Sequence, residues 1–215
     1  MKMKKLLYMG LFAVTMTACD AHRDFPDLGT KVGDVVCTDG SVMRLDDYEA
    51  SGKKAVAVVF HVAQSEDDES YGVYLHDLQP TLYADSLGVK QGTSADISAF
   101  DGNQNTYALF DNRNVGSPLA EAVFDIWQYG QSAYIPSVAQ YRRLYGAKDV
   151  VNQSLLRLGG DIIPDEADDC WYWSSTEVAG QETAKAWLYS LGSGAIQETP
   201  KLQSHKSRPI ITLSE

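Results

Sequence analysis

The chain has 215 residues, 44% of them apolar and 22% charged, a mix that excludes a disordered polymer and fits one globular domain. Its formal net charge is −11, and the first 18 residues hold three lysines and no acid, which leaves 15 basic residues against 29 acidic ones, a balance of −14. Such an excess repels phosphate backbones, and with no basic patch in the sequence it argues against nucleic acid as a partner.

Lys2, Lys4 and Lys5 precede an apolar stretch of 11 residues, Leu6 to Met16. That is too short to span about 30 Å of hydrocarbon, and it reads as the core of a signal peptide over residues 1–18. Met16-Thr17-Ala18-Cys19 follows. Small residues before a cysteine resemble the lipobox of bacterial lipoproteins, in which the thiol receives a diacylglycerol. The alternative is an ordinary secretory signal with an unrelated cysteine. Residues 19–32, with Pro26 and Gly29, then form a lipidated tether ahead of a domain over 33–215. The expected location is the bacterial cell envelope, at the outer membrane, with the lipid as sole membrane contact.

With Cys19 lipidated, Cys37 and Cys170 remain in a compartment that permits disulfides; they either pair or stay as two buried thiols. No Cys-x-x-Cys or His-Glu-x-x-His occurs, so neither a zinc site nor a cofactor is expected. Val35-Val36-Cys37 and Ser41-Val42-Met43 flank Thr38-Asp39-Gly40, a hairpin signal. Ala55 to Val62 predicts a buried strand, and Tyr71 to Leu78 alternates more weakly. The acidic run Glu66-Asp67-Asp68-Glu69 lacks the ligand spacing of a calcium loop and reads as solvated.

Ser117-Pro118 opens a helix that lines up Leu119, Ala122, Val123, Ile126 and Trp127. Ser137 and Gln140 form a capping box for a second helix, which Gly146 ends. A third runs from about Asp149 to Gly159-Gly160. Strands return at 171–173, 186–191 and 208–213. Strands, then about three helices, then strands predict an α+β protein with small twisted antiparallel sheets.

An ordered series of motifs runs through this pattern. It comprises Gly33-Asp34, Asp39-Gly40, Asp101-Gly102-Asn103-Gln104-Asn105-Thr106, Trp127, Pro136-Ser137 and Val151-Asn152. It closes with Tyr172-Trp173-Ser174-Ser175-Thr176-Glu177, Ala186-Trp187 and Arg208-Pro209-Ile210. In this series the chain resembles a bacterial domain family found at the ends of surface lipoproteins and collagen-like adhesins, the major paralogous domain type. The resemblance implies a C-type-lectin-like fold, related to formylglycine-generating enzymes and retroelement-diversified binding proteins. Two departures limit it. The calcium motifs Glu-Pro-Asn, Gln-Pro-Asp and Trp-Asn-Asp are absent, so metal-dependent sugar binding is not implied. Only Cys170 stands where formylglycine-generating enzymes carry paired cysteines, so their oxidase chemistry is not implied either.

No Gly-x-Ser-x-Gly elbow or phosphate loop occurs, and no catalytic residue is assigned. By analogy with the wider group, ligand contacts fall on the segments Val178 to Lys185 and Ser193 to Lys206. The candidates are Glu177, Glu182, Lys185, Glu198, Lys201 and His205, with Trp171 as a sugar-stacking platform or a core residue. Trp127, Trp173 and Trp187 read as core anchors. The resulting expectation is a non-catalytic envelope module for a glycan or protein ligand. The alternatives are an assembly component of an envelope complex, or an envelope enzyme.

Overall fold

The computed structural model describes residues 29–126, 133–165 and 170–213. The signal peptide, Cys19, Trp127, and the acids Glu166, Asp168 and Asp169 lie outside these described residues.

The chain opens as the hairpin that Asp39-Gly40 predicts. Strand β1 (Val35–Cys37) pairs antiparallel with β2 (Val42–Met43), and Gly40 turns the corner at a φ of 83°. Helix α1 (Leu45–Ser51) follows, a short element that buries none of its own side chains and has no apolar stripe in the sequence. Strand β3 (Ala55–His61) is the β-branched run, buried at its centre. Strand β4 (Ser70–Tyr74) stops short of Leu78, and β5 (Thr81–Leu82) comes next. Helix α2 (Gly102–Asp111) grows from the Asp-Gly-x-x-Asn-Thr motif, and α3 (Pro118–Phe124) starts where Ser117 accepts a hydrogen bond from the Ala120 amide.

Helix α4 (Val138–Leu158) corrects the sequence reading. The two helices expected on either side of Gly146 are one helix of 21 residues, opened by the Ser137–Gln140 capping box and closed by left-handed Gly159. A glycine inside a helix costs about 1 kcal/mol relative to alanine. That is small beside the burial of Tyr141, Leu144, Val151 and Leu155 on one continuous face. Among the described residues four helices therefore flank the sheets. Strands β6 (Trp171–Glu177), β7 (Lys185–Ser190), β8 (Ile196–Pro200), β9 (Ser204–His205) and β10 (Ile210–Leu213) complete the chain.

The protein is mixed α+β with small antiparallel sheets. The first sheet has the order β10-β4-β3-β1-β2, the second β6-β7-β8, and β5 pairs with β9. Two apolar clusters form, one on each face of the strands. Ala57, Val59, Ile211, Leu109, Leu119, Trp173 and Leu188 belong to the first. Val58, Phe60, Val73, Tyr141, Leu144, Leu155, Tyr172 and Tyr189 belong to the second. Trp187, Tyr189 and Leu191 share the second cluster, as their alternation predicts, but Ala186 and Leu188 on the opposite face are buried too. Both faces of β7 are therefore covered. No helix among the described residues is long and apolar enough to cross a membrane.

Candidate functional site

The residues of the closing signature are internal connectors. Arg208 is 0% exposed: its Nε donates to the Tyr74 carbonyl (2.8 Å), Nη1 to Asp77 Oδ1 (2.8 Å), and Nη2 to the carbonyls of Leu75 (3.0 Å) and Asp161 (2.7 Å). Trp173 Nε1 donates to the Thr81 carbonyl at 3.1 Å, and Ser174 Oγ to that of Trp187 at 2.8 Å. Thr176 Oγ1 accepts from the Val138 amide at the start of α4. In the central motif Thr106 Oγ1 donates to the Gly102 carbonyl (2.7 Å) and accepts from the Ile135 amide (2.9 Å). A Cβ on Gly102 would lie 2.3 Å from Gln140 Oε1 and 2.6 Å from the Ile135 carbonyl, so only glycine fits there. These motifs satisfy buried backbone groups and so position the elements.

The predicted contact residues do not form one surface. Glu177 and Lys201 are each 1% exposed, which removes them from any ligand surface. Lys201 Nζ donates to Glu177 and to Gln91 Oε1 (2.9 Å), so each buried charge finds its counter-charge inside the protein. Lys185 pairs with Glu198 at 3.2 Å, and Lys90 with Glu182 at 3.3 Å. Hydrogen bonds from Lys185 and Gln181 hold the Glu198 carboxyl below its ordinary range. His205 meets the Trp173 ring edge-on at 5.3 Å between centroids, and burial pushes its pKa down. Trp171 packs, half-buried, against the first apolar cluster, which favours its core role over a stacking platform. Cys37 and Cys170 are two separate buried thiols, so the disulfide alternative falls. Burial raises the Cys37 thiol, and Cys170 Sγ lies 3.0 Å from Ser190 Oγ.

A different region is concave. Loop 65–69, the start of β4, the start of α2 and the first turns of α4 enclose a cleft of about 720 Å³. Asp68 anchors its acidic wall: Oδ1 accepts from Arg143 (2.7 Å), while Oδ2 meets His61 Nε2 (2.8 Å) and the Gln64 amide (3.1 Å). Partial burial opposes ionisation of Asp68, but these bonds outweigh it and hold the carboxyl well below the usual range. Glu66, Asp67 and Glu69 remain exposed along the rim. On the other wall the Arg143 guanidinium lies 3.8 Å over the Phe100 ring, whose side chain is otherwise 44% exposed.

The floor carries two tyrosines and an amide. Tyr71 donates to Glu69 Oε2 at 3.0 Å, and Tyr134 lies 2.8 Å from Thr212 Oγ1. Gln140 Nε2 donates to the Tyr134 hydroxyl at 3.3 Å. Burial lifts the Tyr71 phenol to about 12, so it stays protonated at neutral pH and cannot act as a phenolate. Asp101 is raised by burial, against hydrogen bonds from Ser94 and Asn105. Among the described residues no group of three histidine, cysteine or carboxylate side chains is placed to hold a metal. The cleft therefore offers alternating donors and acceptors beside an aromatic edge. Of its lining, the acidic run, Asp101, Asn103 and Gln104 of the central motif and the capping-box Gln140 stand out in the sequence, but as a solvated loop, a motif and a cap, not as one site. Gln140 and Arg143 share a face of α4 at a spacing of three, whereas Phe100 and Tyr134 come from other segments that no spacing links to them. Compared with protein-family models, with curated proteins and with solved structures, the chain has no match in any of the three.

Proposed function

We propose that this protein is a lipid-anchored module of the bacterial cell envelope, built on a C-type-lectin-like scaffold, that binds a glycan in the cleft beside loop 65–69. The observation that carries the reading is the lining of that cleft. Carboxylates (Glu66, Asp67, Glu69), amides (Asn103, Gln104) and the Arg143 guanidinium surround the exposed ring of Phe100. Vicinal hydroxyls need donors and acceptors side by side, and the apolar face of a sugar ring needs an aromatic or aliphatic surface. Both are present within one depression. The motif series supports the scaffold and the Met16–Cys19 sequence supports the anchor.

The test is a glycan array probed with the full-length protein in detergent, alongside Phe100→Ala and Gln104→Ala. Binding that weakens about tenfold or more in each variant, at unchanged melting temperature, supports the cleft. Binding that both variants retain places the ligand elsewhere. Capture of basic peptides in place of glycans, fading as salt rises, would replace the sugar by a protein partner drawn to the acidic rim. Cys19→Ala is expected to move the protein from the membrane fraction to the soluble one, and unchanged retention would remove the anchor.

A further inference from the structure

Lys201, Glu177 and Gln91 meet where no solvent reaches: they are 1%, 1% and 2% exposed. Lys201 Nζ touches Glu177 Oε1, lies 2.9 Å from Gln91 Oε1, and sits 5.1 Å from the centroid of the Tyr83 ring. Glu177 Oε1 also accepts the Gln91 backbone amide at 3.2 Å, so one carboxylate holds both the amine and the residue that carries the side-chain amide. The main chain at Lys201 is pinned: its N–H donates to the Ala184 carbonyl (3.0 Å) and its carbonyl accepts from Tyr83 (3.0 Å). Gln91 Nε2 is buried and has no hydrogen-bond partner among the described residues. Buried polar groups are normally paired, and this NH₂ is one of five buried side-chain polar atoms among the described residues without a partner; the oxygen of the same amide accepts from the buried amine.

We propose that Lys201 and Gln91 become joined by an intramolecular amide bond, with Glu177 as the proton carrier. The Lys201 ammonium passes a proton to the Glu177 carboxylate, which leaves a neutral amine beside a neutral acid. Burial favours this transfer, because it lowers the pKa of Lys201. The free pair on Nζ attacks Cδ of Gln91 and forms the bond from Nζ to Cδ; once that carbon has turned tetrahedral Nε2, unpartnered in the resting amide, takes the proton from Glu177. The bond from Cδ to Nε2 then breaks, Nζ gives up its second proton to Glu177, and ammonia leaves. Amine and amide go in, a secondary amide and ammonia come out, and no oxidant or cofactor is needed. The product removes a buried ammonium and an unpaired NH₂ together. It ties the loop at 91 to the end of β8, positions 110 residues apart in the chain. The inference is independent of what the cleft binds.

The experiment is a tryptic map of the denatured full-length protein. An amide on Lys201 blocks cleavage there, so the expected species is branched. It joins residues 91–113 to residues 186–206 and is lighter than the two together by one ammonia. Gln91 becomes the first residue of its own tryptic peptide and can cyclise with the same mass loss, so the branch, and not the loss, is decisive. Separate recovery of 91–113 and 186–201 in full yield overturns the proposal. A branch running from Lys201 to Glu177, lighter by one water, overturns Gln91 as the acyl donor. Glu177→Gln, if folded by circular dichroism, is expected to lack the branch, and a linked variant would remove Glu177 from the chemistry. Should that variant not fold, the wild-type map still decides.

Discussion

Two regions of the molecule are rich in charge, and they use it in opposite ways. Around β7 and β8 the charges close on one another: Lys185 on Glu198, Lys90 on Glu182, Lys201 on Glu177. Around loop 65–69 one acid, Asp68, is consumed by His61 and Arg143, and its consumption leaves Glu66, Asp67 and Glu69 facing an open cleft. A charged residue therefore marks a binding surface only when its partner is missing from the same chain. That partner can lie more than a hundred residues away, so position along the sequence is a poor guide.

The largest test of this contrast is Arg208→Ala. It strips Asp77 and three carbonyls of a buried donor, and a loss of about 3–5 kcal/mol is expected in urea melts. A near-wild-type midpoint would show that water replaces the guanidinium and that the interior polar frame carries little stability. Next come the two tryptophans. Trp173→Ala is expected to cost about 3–5 kcal/mol as a fully buried aromatic, and Trp187→Ala clearly less, since its ring is partly exposed. Equal losses would mean that the second cluster is as tightly closed as the first.

At the cleft, Asp68→Asn is expected to cost about 1–3 kcal/mol through weakened bonds to charged donors. Because the folded-state pKa of Asp68 lies below its unfolded value, its contribution is present above about pH 4 and is lost as pH falls through the lower, folded value. Hydrogen exchange in residues 64–69 is therefore expected to quicken on acidification below about pH 4 in the wild type, and much less so in Asp68→Asn. The same pH response in both would assign the acid sensitivity to another carboxylate. The smallest effect belongs to the exposed pair. Lys185→Ala and Glu198→Ala are each expected to leave the melting midpoint nearly unchanged and to leave ligand binding unchanged. A binding defect in either would return the site to the C-terminal sheet.

What could be read from the sequence was local. Asp39-Gly40 forces a tight turn, Ser117-Pro118 starts a helix, and Ser137 with Gln140 closes a capping box, and each works within four residues. Gly146 misled because a local penalty of about 1 kcal/mol was weighed without the tertiary face that overrides it. Helix α1 escaped notice because it buries nothing and so leaves no apolar period. The Lys201–Glu177–Gln91 group and the cleft were out of reach for one shared reason. Both are made by packing distant segments, and a side chain's exposure is decided only there. Within the motif series Thr106, Ser174, Thr176 and Arg208 make the frame's own internal bonds, whereas Asn103 and Gln104 of the same series face the cleft.

Strand β8 is the outer strand of its sheet, with β7 as its partner there. An outer strand of five residues offers a row of backbone groups on which a second copy could add a strand and begin a fibre. Gln197, Glu198 and Pro200 are exposed along this one. The proline removes a donor from the row. Identical copies that meet edge to edge at β8 therefore find no continuous row of donors on which to extend the sheet.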